Sequence, residues 1–189
     1  MSARRPKALH YTNVDEANEL IARDPMALLI GFVLDQQVTV QKAFKGPLDL
    51  LERIGTLDAA TLAATDLEPA FRQKPALHRY PAAMAERVHS LAAHIRDEYG
   101  GDAGRVWSGA RTTERLAANL AALPGIGEMK AATIAAVLAK RYGIKRAEPL
   151  VPDHPTLGDV DSAAALADYQ GWKRAEKLAR RQARAAQTP

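Results

Sequence analysis

The chain has no cysteine among its 189 residues. Disulfides, cysteine-ligated zinc and thiolate-bound iron–sulfur clusters are therefore excluded. Aromatic residues are scarce, at 5%, so few side chains are on hand to stack against a planar ligand. No apolar run is long enough to cross a bilayer, and the charged segment 1–7 has no apolar stretch behind it. A cytoplasmic protein without a membrane partner is expected. No stretch alternates apolar and polar residues as a half-buried strand does. The five histidines lack a ligand spacing such as His-x-x-x-His with an acidic partner, so no metal site is expected. No internal repeat is visible.

What remains is an Ala-rich chain, long enough for a proper core, with a net charge of +4. That mild basic bias is compatible with nucleic acid without pointing to it. An all-α fold is expected, as a single domain over residues 1–189 and as a monomer. Asn13, with Glu16 three residues on, reads as the cap of a first helix whose buried side carries Leu20 and Ile21. Asp24-Pro25 starts a second helix, with Asp as cap and Pro at the first helical position. The ten residues from Pro25 to Leu34 are almost wholly apolar, as befits a helix in the core. Thr39 is placed to cap the next helix. Short helices follow over 56–70, with Thr56 and Asp66 as caps. A long helix with an apolar stripe of Ala85, Val88, Leu91, Ala92 and Ile95 ends near Tyr99 at Gly100-Gly101. His78, Arg79 and Tyr80 either approach a nucleic acid from their loop or, the favoured reading, form a solvated linker with Tyr80 tucked against a helix. His89 and His94 read as surface or satisfied histidines, and Trp107 as a plug under a Gly-rich connection in preference to a base-stacking platform.

One stretch organises the rest: Leu123-Pro124-Gly125-Ile126-Gly127-Glu128-Met129-Lys130. Helical patterns flank it, Thr113–Ala122 with Leu116 and Leu120, and Glu128–Tyr142 with Ile134, Val137 and Leu138. Pro124 cannot continue a helix, and the glycines allow a tight turn. The second helix then starts with unpartnered amides at its positive dipole end, which suits a phosphate. A second stretch, Asp35-Gln36-Gln37-Val38-Thr39, closes the apolar helix with adjacent amide side chains. Such side chains can cap helix ends or address an unpaired base.

The Leu-Pro-Gly-Ile-Gly core resembles the hairpin of the helix-hairpin-helix/Gly-Pro-Asp (HhH-GPD) DNA glycosylase superfamily. Gln36-Gln37-x-Thr39 is similar to the Gln-Gln-x-Ser/Thr signature of its 3-methyladenine glycosylase II branch. Segments 74–81 and 99–102, with the hairpin, also resemble a compact bacterial branch described only as base-excision-repair-like. The absence of cysteine places the chain with members that lack an iron–sulfur cluster.

The resemblance implies a two-lobed helical fold, with lobes of about 1–55 plus 150–189 and 56–149. It implies double-stranded DNA as partner and association with the nucleoid. It also implies that Leu123, Gly125, Ile126, Gly127 and Lys130 hold the backbone, and that Gln37, with Gln36 and Thr39 beside it, helps fill the gap left by a flipped base. A monovalent cation at the carbonyls of Ala121, Leu123 and Ile126 is implied as well. Met129 stands where lyase-active members carry a lysine, so a monofunctional enzyme is expected. The catalytic carboxylate falls to Asp153 or Asp159, or is absent. Asp153 matches the local pattern in part but lies farther from Gly127 than usual, while Asp159 precedes an apparent helix. In the C-terminal segment six cations, Lys173, Arg174, Lys177, Arg180, Arg181 and Arg184, face one anion, Glu176. Lys173, Lys177, Arg180 and Arg184 share one helical face, which either contacts phosphates or is simply solvated. Tyr169 and Trp172 are expected to anchor that helix. The expected function is removal of a damaged base, an alkylated purine above all; the alternative is a DNA-binding protein that has lost the activity.

Overall fold

The computed structural model describes residues 5–186, so the first four residues of the charged N-terminal segment and the last three of the chain lie outside it. The described chain is helical with no strand, as the absence of period-two patterning implies. The helices are α1 (Asp15–Arg23), α2 (Pro25–Leu34), α3 (Val40–Ile54), α4 (Ala59–Ala64), α5 (Glu68–Arg72), α6 (Pro81–Tyr99), α7 (Arg105–Ser108), α8 (Thr113–Ala121), α9 (Glu128–Tyr142) and α10 (Ala163–Ala186). Two 3-10 helices, Lys145–Leu150 and Leu157–Asp159, lie between α9 and α10.

Helix α2 is the hub. Asp24 accepts hydrogen bonds from the amides of Met26 and Ala27, and Pro25 occupies the first turn. From Met26 to Leu34 every residue is buried. Helices α1, α3 and α6 all pack against α2. Thr39 caps α3 by accepting from the Lys42 amide at 3.2 Å. Helix α6 buries Ala85, Val88, Leu91, Ala92 and Ile95, and ends at Gly100 with φ +61°. Helices α8 and α9 pack together, and both 3-10 helices lie against α9. One continuous apolar core runs from Leu9 to Leu166. Two tyrosines fasten its ends: Tyr11 donates to the Leu157 carbonyl at 2.8 Å and Tyr142 to the Ala22 carbonyl at 2.9 Å.

Three local expectations are revised. Helix α1 is preceded by Val14 and has no side-chain cap from Asn13. Asn18, from inside the helix, accepts from the Tyr11 and Thr12 amides and donates to the Thr12 carbonyl, which fixes the approach without Asn13. Helix α4 is capped by Asp58, whose carboxylate accepts from the Thr61 amide, while Thr56 supports Asp58 from the turn before. His78 is fully buried rather than solvated. Trp107 is buried, as a plug should be.

Gly158 sits where the second 3-10 helix crosses α9. A Cβ there would lie 2.6 Å from the backbone carbon and oxygen of Ala136. Gly127, by contrast, faces open space. Gly158→Ala is therefore expected to lower unfolding free energy by about 1–3 kcal/mol through overpacking. Gly127→Ala should stay within about 0.5 kcal/mol of the parent. Denaturant midpoints of the two variants check this.

Candidate functional site

The last four carbonyls of a helix have no partner within it. Helix α2 ends deep in the protein, so each must find one elsewhere. The Gly31 carbonyl accepts from the Asp35 amide at 3.0 Å. The Phe32 carbonyl accepts from Lys130 Nζ at 2.6 Å. The Val33 carbonyl accepts from Gln36 Nε2 at 2.8 Å. The Leu34 carbonyl accepts from the Gln36 amide at 2.7 Å and faces His78 Nε2 at 3.1 Å. His78 Nδ1 accepts from the Tyr80 amide, so Nε2 carries the proton and donates to Leu34 and also to Gln36. Burial holds the His78 pKa below its ordinary value, in keeping with a neutral ring.

That capping shapes the loop after α2. Arg87 donates to Gln36 Oε1. Tyr80 donates its hydroxyl proton to Gln37 Oε1 at 3.1 Å. Gln37 has φ +55°, the one described non-glycine residue with positive φ, and its side chain is exposed. Such a backbone costs an ordinary residue about 1–2 kcal/mol. Farther out, Arg53 clamps the approach to His78 through the carbonyls of Ala70, Gln73 and Pro75.

The turn before α9 is built as its sequence requires. Gly125 has φ +78°, and its backbone lies against Val33 of α2. Gly127 precedes α9 without a side-chain cap. Leu123 and Ile126 are buried in the core, so only their backbone can face a ligand. Met129 is 71% exposed. Lys130 turns inward instead of out toward solvent, because its Nζ donates to the otherwise unpartnered Phe32 carbonyl.

Between the end of α2, the start of α9, the segment 153–157 and α10 lies a cleft of about 840 Å³. Lys130 and Asp153 both line it. So does Asp35, which the sequence did not mark out. Burial raises the Asp35 pKa, with Lys173 and Lys130 opposing that rise. Burial also lowers the Lys130 pKa to about 8, with Asp35 opposing that fall. One wall is aromatic: His154 stacks on Trp172 with ring centres 5.5 Å apart, and Trp172 on Tyr169 at 6.1 Å. Lys173, Lys177, Arg180 and Arg184 line the same cleft, as their spacing on α10 demands. Helix α10 is tied to α3 by a reciprocal amide pair between Gln41 and Gln170.

Asp159 is not part of the cleft. Its carboxylate pairs with Lys140 at 2.6 Å and accepts from the Thr156 amide and hydroxyl, closing a capping box. Those bonds hold its pKa below the usual carboxylate range despite partial burial. Its expected place ahead of a helix is thus filled by structural work. Asp153 is exposed at the cleft. Gln36, Gln37 and Thr39 lie on the loop behind Asp35 rather than in the cleft wall. Among the described residues no group of three or more His, Asp or Glu side chains is placed to hold a metal ion.

The chain was compared with protein-family models, curated proteins and solved structures, and none matched.

Lys130→Met removes the donor to the Phe32 carbonyl and is expected to cost about 1–3 kcal/mol. Because the folded-state pKa of Lys130 is depressed from 10.5 to about 8, its charge opposes folding below pH 8. That opposition fades as pH rises from about 8 to 10.5. The stability gap between parent and Lys130→Met should therefore widen over that range in pH-resolved denaturation.

Proposed function

We propose that the protein is a monofunctional DNA glycosylase of the helix-hairpin-helix kind, which hydrolyses the N-glycosidic bond of a damaged base flipped from double-stranded DNA. The observation that carries this is the cleft, where stacked rings, carboxylates and a cationic wall converge beside the turn at Leu123–Lys130. Stacked aromatic faces suit a planar base, and a cationic, alkylated purine gains further from their electron-rich surfaces. The cations of α10 suit the phosphates on either side of such a base. Gln37 is exposed on a strained backbone two residues after Asp35, which suits a side chain that enters the gap in the stack. The backbone of Leu123, Gly125, Ile126 and Gly127, with the open space at Gly127, suits a phosphate strand.

Met129 offers no nitrogen nucleophile. Lys130 is engaged with the Phe32 carbonyl. The methionine at 129 and the engagement of Lys130 support the reading of a glycosylase without lyase activity. A monovalent cation belongs to the same reading, since the carbonyls of Ala121, Leu123 and Ile126 are hard oxygen donors. The Leu123 carbonyl keeps a lone pair after accepting the Ile126 amide at 3.2 Å.

The engagement of Asp159 and the exposure of Asp153 favour a second reading, a DNA-binding protein that has lost the chemistry. A panel of duplexes carrying alkylated, deaminated and oxidised bases separates the two. Abasic product from an alkylated purine, without strand cleavage and without a borohydride-trapped adduct, is the expected result. Salt-sensitive binding that ignores the lesion, with no product on any duplex, would establish the second reading instead.

A further inference from the structure

The cleft contains three carboxylates: Asp35, Asp153 and Glu176. Glu176 is paired with Arg180 at 2.7 Å. Asp153 is solvent-exposed, where water screens its charge. Asp35 differs from both. It is half-buried, and among the described residues its carboxylate forms no ion pair within 4 Å. Lys130 and Lys173 act on it from a distance.

Its position in the fold is also unfavourable for stability. Asp35 directly follows the last turn of α2, so its negative charge sits at the negative end of that helix dipole. Asn would suit that position better. A charge kept where both burial and the dipole oppose it, with only Lys130 and Lys173 acting at a distance, is poorly compensated in the resting protein. It gains most when a positive charge appears in the cleft.

We propose that Asp35, rather than Asp153 or Asp159, is the carboxylate that faces the sugar and stabilises the glycosyl cation. The proposal rests on the glycosylase reading above. The C1′–N bond breaks, and its electron pair leaves with the base. A cationic, alkylated base departs neutral and needs no added proton. The positive charge left on C1′ and the ring oxygen faces Asp35. Water then adds its oxygen to C1′ and gives its proton to the Asp35 carboxylate, which passes it to solvent. The products are the free base and an abasic sugar. Because the carboxylate is poorly compensated before the bond breaks and well compensated afterwards, it favours the transition state over the bound substrate.

Duplexes that mimic the intermediate test this without knowledge of the lesion. One carries a cationic pyrrolidine at the abasic position and the other a neutral tetrahydrofuran. Wild-type protein is expected to bind the pyrrolidine duplex at least about tenfold more tightly. Asp35→Asn should abolish that preference while still binding the neutral duplex. Asp153→Asn and Asp159→Asn should keep it. The melting temperature of Asp35→Asn at pH 7.5, as the fold control, is expected to match or exceed that of wild type. Wild-type preference that survives in Asp35→Asn would overturn the role of Asp35 and leave the glycosylase reading intact. No preference in wild type, with no product on the lesion panel, would overturn both. An Asp35→Asn protein that melts several degrees lower would make Asp35 a structural cap and likewise refute the proposal.

Discussion

The buried C-terminus of α2 is the constraint on which the rest depends. A helix apolar on every side can sit in the core, but its last carbonyls go in with it and must be satisfied there. Lys130 serves Phe32, Gln36 serves Val33, and His78 serves Leu34. Each donor fixes a different part of the molecule. Lys130 brings the start of α9 against α2, and His78 brings in the segment ahead of α6. Gln36 turns the loop so that Gln37 is exposed. The cleft is the space left beside this capped end, lined by α10 and by Asp35 among others. Its electrostatics follow from the same arrangement: a lysine drawn inward to a carbonyl, and a carboxylate stranded next to it.

Two properties of the cleft matter together for chemistry. Charge interactions are stronger at the partly buried Asp35 and Lys130 than at its exposed rim. Helix α10 supplies both the cations of the cleft and, in Tyr169 and Trp172, two of its three stacked rings, and Lys173 Nζ lies 5.5 Å from the centre of the Tyr169 ring. Burial raises the Tyr169 pKa to about 12, so its ring remains a neutral phenol at physiological pH.

Features decided within a few residues were legible in the sequence. Asp24 and Pro25 at the start of α2, Thr39 at the start of α3, Gly100 at the end of α6 and the Gly125 turn all follow from local chemistry. The shared face of Lys173, Lys177, Arg180 and Arg184 follows from helical periodicity. What escaped was decided across the fold. His78 reaches its partner Leu34 over 44 residues, and Lys130 reaches Phe32 over 98. No local pattern distinguishes such a histidine from one in a solvated linker. The resemblance implies that Lys130 holds the DNA backbone, but the otherwise unpartnered Phe32 carbonyl of α2 draws it inward. Asp35 did leave a trace: it is the first charged residue after ten that are almost wholly apolar. Asp159 looked available because its partner Lys140 lies on α9, nineteen residues away.

The central claim is that the cleft receives a nucleotide extruded from a duplex, and Trp172 reports on it directly. The other tryptophan, Trp107, is buried away from the cleft. Fluorescence of the Trp107→Phe variant should therefore be followed while duplexes are added, with binding monitored separately by anisotropy of a labelled strand. Strong quenching of Trp172 by a duplex with one unpaired or alkylated base, and weak quenching by a fully paired duplex bound to the same extent, is the expected result. Equal quenching by both, or none despite full binding, would show that no base enters the cleft and would contradict the claim.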